Sequence, residues 1–237
     1  MQKGLIFAFD LETTSVKPET TTPAQICLMS EYQGVRRVLM NTLVRPGEPI
    51  QPGAQEVHGI SDEMTKSAPD YVMAAWIAYL LGQEMEPQFV VTYNGKLFDQ
   101  PILDRCLGDA VFPGATHIDM LDVAYRFFPD LPSHKLGAVY TEFMKEPLNN
   151  AHNACADVNA TLDLLRAMRV KIGMTIEQLA EDMETPKPYS VFPLGVHRGK
   201  LIHEIPQGYG IWALNTFSNP RPDLKLTLEI IASGACK

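Results

Sequence analysis

At 237 residues, 46% hydrophobic and 20% charged, the chain can bury one large core or a domain plus a small appendage, and its composition excludes a disordered or fibrous protein. A formal net charge of −8 argues against nonspecific binding to nucleic acid, unless several carboxylates cluster to hold divalent cations. The longest buried-looking run, YVMAAWIAYLLG, is too short for a membrane span. Cys27, Cys106, Cys155 and Cys236 form neither a CxxC pair nor a disulfide framework, which suits a reducing, cytoplasmic setting. The amino terminus enters a strand at once, without the basic and apolar segments that mark a chain for export.

The first 45 residues read as three strands: GLIFAFDLE, apolar and central, then AQICLMSEY and RRVLMNTLVRP, joined by a turn at Gln33-Gly34. The first strand runs into two acids, Asp10 and Glu12, separated by one residue. Residues i and i+2 of a strand share a face, so these carboxylates stand side by side and repel. Either the strand end lies in water or a cation is expected there. VHGISDEM follows, with Ser61 as a helix cap. Residues 70 to 82 carry a helical apolar pattern, including Val72, Trp76 and Leu80, that ends at Gly82.

QFVVTYNG reads as a short buried strand, and FDQPILDRCLG begins a helix with Pro101 near its start. HIDMLDVA runs from strand into helix, and KLGAVYTEFM is a short helix. Val158, Leu162, Leu165 and Met168 recur at helical spacing within an amphipathic helix from Asn153 to Ile172. Strands first, then alternating helices and strands, predict an α/β domain with a mixed sheet. METPKPYSVFP, proline-rich and aperiodic, reads as a linker of about ten residues. Beyond it, PLGVHRGKLIHEIPQGYGIWALN suggests a hairpin turning at Arg198-Gly199 and a short aromatic helix, with a last helix starting near Pro222.

Two later segments bear on Asp10 and Glu12. VVTYNGKLFDQPIL sets Asp99 at the start of the helix after a buried strand. AHNACADVNATLDLL sets Asp157 in the first turns of the long helix, with His152 five residues earlier. Taken singly, each acid could serve only its own helix dipole, and an isolated histidine is more often structural than catalytic. Together, D-x-E on the first strand, N-x-x-x-x-D at a strand-to-helix junction and H-x-A-x-x-D on a late helix resemble the DEDDh exonucleases. These belong to the ribonuclease H-like superfamily and include the proofreading subunit of bacterial DNA polymerase III. The resemblance covers residues 4 to about 173. VHGISDEM looks like the V-H-G-I segment of that family and LPSHKLGAVY like its lysine-leucine helix entry, whereas Ser15 stands where glycine commonly follows D-x-E-T-T.

The resemblance implies a ribonuclease H-like mixed five-stranded sheet flanked by helices. It also implies two Mg2+ ions, with Mn2+ able to substitute, since hard oxygen ligands select these metals. Asp10, Glu12 and Asp157 would bind the first ion, Asp10 would bridge to the second, and Asp99 would act partly through water. His152 would be the general base, because histidine titrates near working pH. Thr13 and His58 match positions that touch the terminal nucleotide in relatives.

The C-terminal stretch looks like the small F-G-K-H-K-G-K…P-x-x-Y-x-x-W-x-L-N module of exonuclease X-type enzymes. Gly195, His197, Gly199, Lys200, Pro206, Tyr209, Trp212 and Asn215 keep that pattern; Leu194 and Val196 depart from it. From Lys187 to Lys200 there are three Lys or Arg and no carboxylate, which makes Arg198 and Lys200 candidate nucleic-acid contacts. Packing of Trp212 and Tyr209 into the module's own core, or partner binding, are the alternatives.

The expected organisation is an exonuclease domain over residues 1–175, a helix and linker over 176–191, and the small module over 192–237. The expected activity is a magnesium-dependent 3′–5′ exodeoxyribonuclease that releases mononucleotides from a DNA 3′ end, single-stranded by preference, with a polymerase or replication/repair protein as a further partner. A 3′–5′ exoribonuclease on short RNA, and a noncatalytic nucleic-acid-binding or polymerase-assembly subunit, are the rival readings.

Overall fold

The first three strands are β1 (Ile6–Thr13) and β2 (Pro23–Tyr32), both buried almost throughout, and the more exposed β3 (Val35–Leu43), each antiparallel to the next. The β2–β3 turn is the expected Gln33-Gly34 pair, with left-handed φ of 50° and 79°, as a two-residue hairpin requires. β4 (Phe89–Thr92) pairs parallel to β1, and β5 (Thr116–Asp119) parallel to β4. The order β3-β2-β1-β4-β5 is the mixed five-stranded sheet expected from the sequence. The computed structural model describes residues 4–235, so Cys236 lies outside the described residues. No described helix is long and apolar enough to cross a membrane.

The chain divides into two compact units, one of residues 1–120 and 136–168, the other of 121–135 and 169–237. In the first, Phe7, Phe9 and Leu11 of β1 share a core with α3 (Tyr71–Met85) and α4 (Asp99–Leu107), and Phe112 meets Phe7 edge-on at 5.8 Å. The apolar stripe of α3 is not the one its large residues suggest. Its buried face is Ala74, Ala75, Ala78 and Gly82, while Trp76 and Leu80 are 49% and 58% exposed. Nor does the helix stop at Gly82. It continues to Met85 and ends at Glu86 in the left-handed conformation. Gly82 permits close packing instead, since a Cβ there would stand 2.9 Å from Phe112 Cδ1. Gly82→Ala is therefore expected to destabilise the protein by about 1–3 kcal/mol through overpacking. Thermal melting checks this, and an unchanged transition would show that Phe112 yields freely.

Two short helices precede α3. α1 (Pro52–His58) was not anticipated, because it buries no residue and so carries no periodic signal; Pro52 at its start and Gly59 at its end mark it. α2 (Asp62–Thr65) has the predicted cap, Ser61, whose side chain accepts the Met64 N–H. After β5 the chain passes directly into α5 (Met120–Phe127), as HIDMLDVA suggested, and α6 (Leu136–Met144) follows. α7 (Ala154–Ile172) covers the opposite face of the sheet, where its Ala154 N–H donates to Gln25 Oε1 of β2.

The second unit has its own core of Tyr189, Phe192, Ile205, Ala213, Leu224, Leu228 and Ile231. It contains α8 (Ile176–Glu184), α9 (Gln207–Thr216) and α10 (Pro222–Ser233). Thr175 and Gln178 cap α8 reciprocally. The proline-rich stretch read as a linker is anchored rather than loose. Lys187 N–H donates to Asp223 Oδ1, Tyr189 N–H donates to Thr227 Oγ1, and Tyr189 and Phe192 are buried. Prolines remove periodicity without removing packing, so composition alone misses this. Arg126 of α5 forks onto Asp223 at 2.6–2.8 Å and onto Asp182 at 2.8 Å, joining three parts of the unit. In place of the expected hairpin strands there is one antiparallel bridge, Val191 to Leu201, with 3-10 turns at Gly195–His197 and Ile202–Glu204, closed by Phe192 N–H to Lys200 O and Gly199 N–H to Phe192 O, both at 2.8 Å.

Candidate active site

β1 outruns β4. Its parallel pairing stops at Ala8–Val91, so one edge of the strand is open from Phe9 onward. Ligand crevices of α/β sheets form where neighbouring strands diverge in this way. Leu11 N–H, on the open stretch, donates to Asp99 Oδ1 at 3.2 Å, which ties the first residue of α4 to the strand. Asp10 and Glu12 pair in register with Cys27 and Gln25 of β2, so they share the face on which α7 begins. Asp157 lies in the first turn of α7. Asp10, Glu12 and Asp157 each offer a carboxylate oxygen within 4.8 Å of the others. Asp99 stands beside this trio but outside that set.

Burial raises all four pKa values, and neighbouring acids add to the rise at Asp10, Glu12 and Asp99. Burial is the main cause at Asp10, reinforced by Asp99, Glu12 and Asp157, and its carboxyl is held well above the usual range. Burial, then Asp157 and Asp99, push Glu12 up to about 8. Asp99 rises to about 7 through burial, against the stabilising hydrogen bond from Leu11. Burial also raises Asp157, opposed by the His152 main chain. Among the described residues, no lysine or arginine pairs with any of these acids. Asp157 Oδ1 is buried and hydrogen-bonded to nothing. A buried carboxylate oxygen without a partner is costly, and a divalent cation among these oxygens would satisfy it. The oxygen-only donor set fits Mg2+ or Mn2+. Burial, chiefly, and the neighbouring Cys155 push the pKa of the Cys27 thiol, opposite Asp10 in the register, well up.

His152 occupies a turn immediately before α7, exposed, with a left-handed φ of 65°. Such a conformation is costly for a residue with a side chain and concentrates at functional sites. Its N–H donates to Asp157 Oδ2 at 3.2 Å, so the turn that presents the imidazole also fixes the adjacent acid. His58, the last residue of α1, is engaged at both ring nitrogens. Ile60 N–H donates to Nδ1 at 3.0 Å, which leaves the proton on Nε2 to donate to Thr13 O at 3.1 Å. Burial, chiefly, lowers its pKa, in keeping with a neutral ring. Thr13 Oγ1 in turn donates to Ser15 O at 2.8 Å.

Ser15 in place of glycine is explained by its backbone, which is not among the left-handed residues, and its N–H donates to Thr21 Oγ1 at 2.8 Å. Arg105 of α4 donates to Pro18 O and Thr21 O and braces the same loop. Arg198 and Lys200 belong to the second unit. Both are exposed; Arg198 donates to Leu131 O at 2.6 Å, and Lys200 Nζ donates to His197 Nδ1 at 3.4 Å.

Sequence reasoning missed Asp119. Buried at the end of β5, it accepts Asn94 N–H at 2.8 Å and Lys96 N–H at 3.1 Å, which shapes the loop leading to Asp99. The signal was available, since THID, a short strand, ends on an acid immediately before a helix.

A model of the exonuclease family matches residues 7–165. Exodeoxyribonuclease 10 of Escherichia coli (strain K12) is 27% identical over 196 residues, 80% of this chain and 83% of that protein. The fold superposes on an exonuclease X in complex with 5′ overhanging duplex DNA with a TM-score of 0.57 and 23% identity, over 74% of this chain and 98% of that one. It also superposes on E. coli exonuclease I in complex with a dA16 oligonucleotide, with a TM-score of 0.61 and 21% identity, over 77% of this chain but 43% of that one. Both likenesses establish the mixed-sheet ribonuclease H-like fold. The family match spans Asp10, Glu12, Asp99, His152 and Asp157 in DEDDh order, and this chain belongs to the exonuclease family, a group of phosphodiester-hydrolysing nucleases.

Proposed function

We propose that the chain is a magnesium-dependent 3′–5′ exodeoxyribonuclease that releases mononucleotides. The observation that carries this reading is the convergence of Asp10, Glu12 and Asp157 around the unpartnered Asp157 Oδ1. These three would hold one ion, Asp10 would also reach a second, and Asp99 would contribute through water. Bound ions of this kind polarise the phosphate, supply a nucleophile at neutral pH and stabilise the departing 3′ oxygen. His152 takes the proton from the attacking water, since its exposed ring is free to meet substrate while its main chain stays on Asp157. Thr13, held by His58, faces the terminal nucleotide.

DNA as substrate rests on the named exodeoxyribonuclease relative and the two DNA complexes. No residue of the acid cluster inspects a 2′-hydroxyl, so short RNA is the alternative substrate. We take the site of action to be cytoplasmic, in replication or repair, with a polymerase or repair protein as a further partner. Matched DNA and RNA oligonucleotides, each with a free 3′ end and Mg2+, test the choice. Faster loss of DNA is expected, and faster loss of RNA would reassign the substrate.

A further inference from the structure

We propose that the second unit carries a platform for single-stranded nucleic acid, built on Trp212 and flanked by Arg198 and Lys200. Trp212 is 52% exposed on α9, an unusual position for the largest apolar side chain. It is nevertheless braced. Its ring meets Tyr209 at 5.4 Å and Phe217 at 6.0 Å, and Tyr209 stands edge-on to the fully buried Phe192 at 5.7 Å. Tyr209 also packs against His197 at 4.4 Å, and His197 accepts the Lys200 ammonium. A continuous series of rings thus leads from the core of the unit to a half-exposed indole and a cation.

The charge pattern selects the ligand. Between Glu184 and Asp223 the sole carboxylate is Glu204, whose Oε2 is occupied by Leu201 N–H at 2.9 Å. Three other cations of the unit are paired with carboxylates: Lys187 with Asp182, Arg126 with Asp182 and Asp223, Arg221 with Asp122. Among the described residues no carboxylate pairs with Arg198 or Lys200, and the bond from Arg198 to Leu131 O fixes its guanidinium while leaving its charge uncompensated. In a chain of net charge −8, two uncompensated cations beside an exposed aromatic complement a phosphate backbone whose bases are unstacked. Duplex DNA hides its base faces and would use only the cations.

The full-length Trp76→Phe variant, which leaves Trp212 as the single tryptophan, is titrated in EDTA with circular single-stranded DNA. The circle has no 3′ end, so a failure of the exonuclease reading and a failure of this one appear in separate measurements. Quenching of Trp212 fluorescence is expected. Trp212→Ala should weaken binding of a labelled circle by about 10- to 100-fold, the usual effect of losing a base-stacking aromatic. Lys200→Gln, at an exposed position that the fold does not need, should flatten the salt dependence by about 0.7 in slope, the value for one phosphate contact on a single strand. Absence of quenching, unchanged affinity and salt slope in both variants, or tighter binding to a duplex circle overturns the proposal.

Discussion

Asp10→Asn is expected to slow turnover by about a thousandfold or more while making the metal-free protein more stable at alkaline pH. The loss reflects the several kcal/mol that metal-assisted charge stabilisation supplies, each 1.36 kcal/mol being about tenfold in rate. The gain follows from linkage. Glu12 has its pKa raised from an ordinary 4.5 to about 8, and Asp10 and Asp99 are raised as well. The folded state therefore holds protons that the unfolded chain has released. For a raised carboxyl the favourable contribution is complete below the unfolded pKa and is lost as pH rises through the folded value. Metal-free wild type should thus melt at progressively lower temperature between about pH 4.5 and pH 8. Removing the Asp10 charge softens that decline, and Mg2+ or Mn2+ reverses it in wild type only. Melting curves across this range with EDTA or Mn2+ supply the check. A variant that is less stable than wild type without metal, yet equally stabilised by Mn2+, would contradict the assignment of Asp10.

His152→Ala should lower kcat by about 10²- to 10⁴-fold, the range for loss of a general base, with little change in KM or in Mn2+-induced stabilisation. The hydrogen bond to Asp157 comes from the main chain of residue 152 and survives the substitution, so the acid keeps its position. Alanine tolerates the left-handed backbone poorly. His152→Asn, better suited to it, serves as the second variant. Rates within tenfold of wild type in both variants would remove His152 from the reaction.

The acid-bearing half of the molecule is legible in the sequence because its pattern is local. Asp10 and Glu12 share a face by strand geometry, and Asp99 and Asp157 each open a helix, so chain order alone carried the pattern. What sequence periodicity could not resolve is which apolar stripe a helix buries. α3 has two, and the close approach of Gly82 to Phe112 favours the small-residue face over Trp76 and Leu80. α1 escaped because an element that buries nothing leaves no periodic trace. Tyr189 and Phe192 escaped for the opposite reason, since an extended proline-rich segment can fill a core without any period at all. Asp119 shows a further limit. Its value lies in two main-chain N–H groups brought to it by a loop, a contact that no spacing rule records.

The most direct test of the account is the product pattern from a 5′-labelled single strand of DNA incubated with Mg2+. The acid cluster with His152 predicts a descending ladder, suppressed by EDTA, by a 3′ block and by Asp157→Asn, and indifferent to a 5′ block. Cleavage of circular single-stranded DNA, or a ladder that persists with the 3′ end blocked, would contradict it.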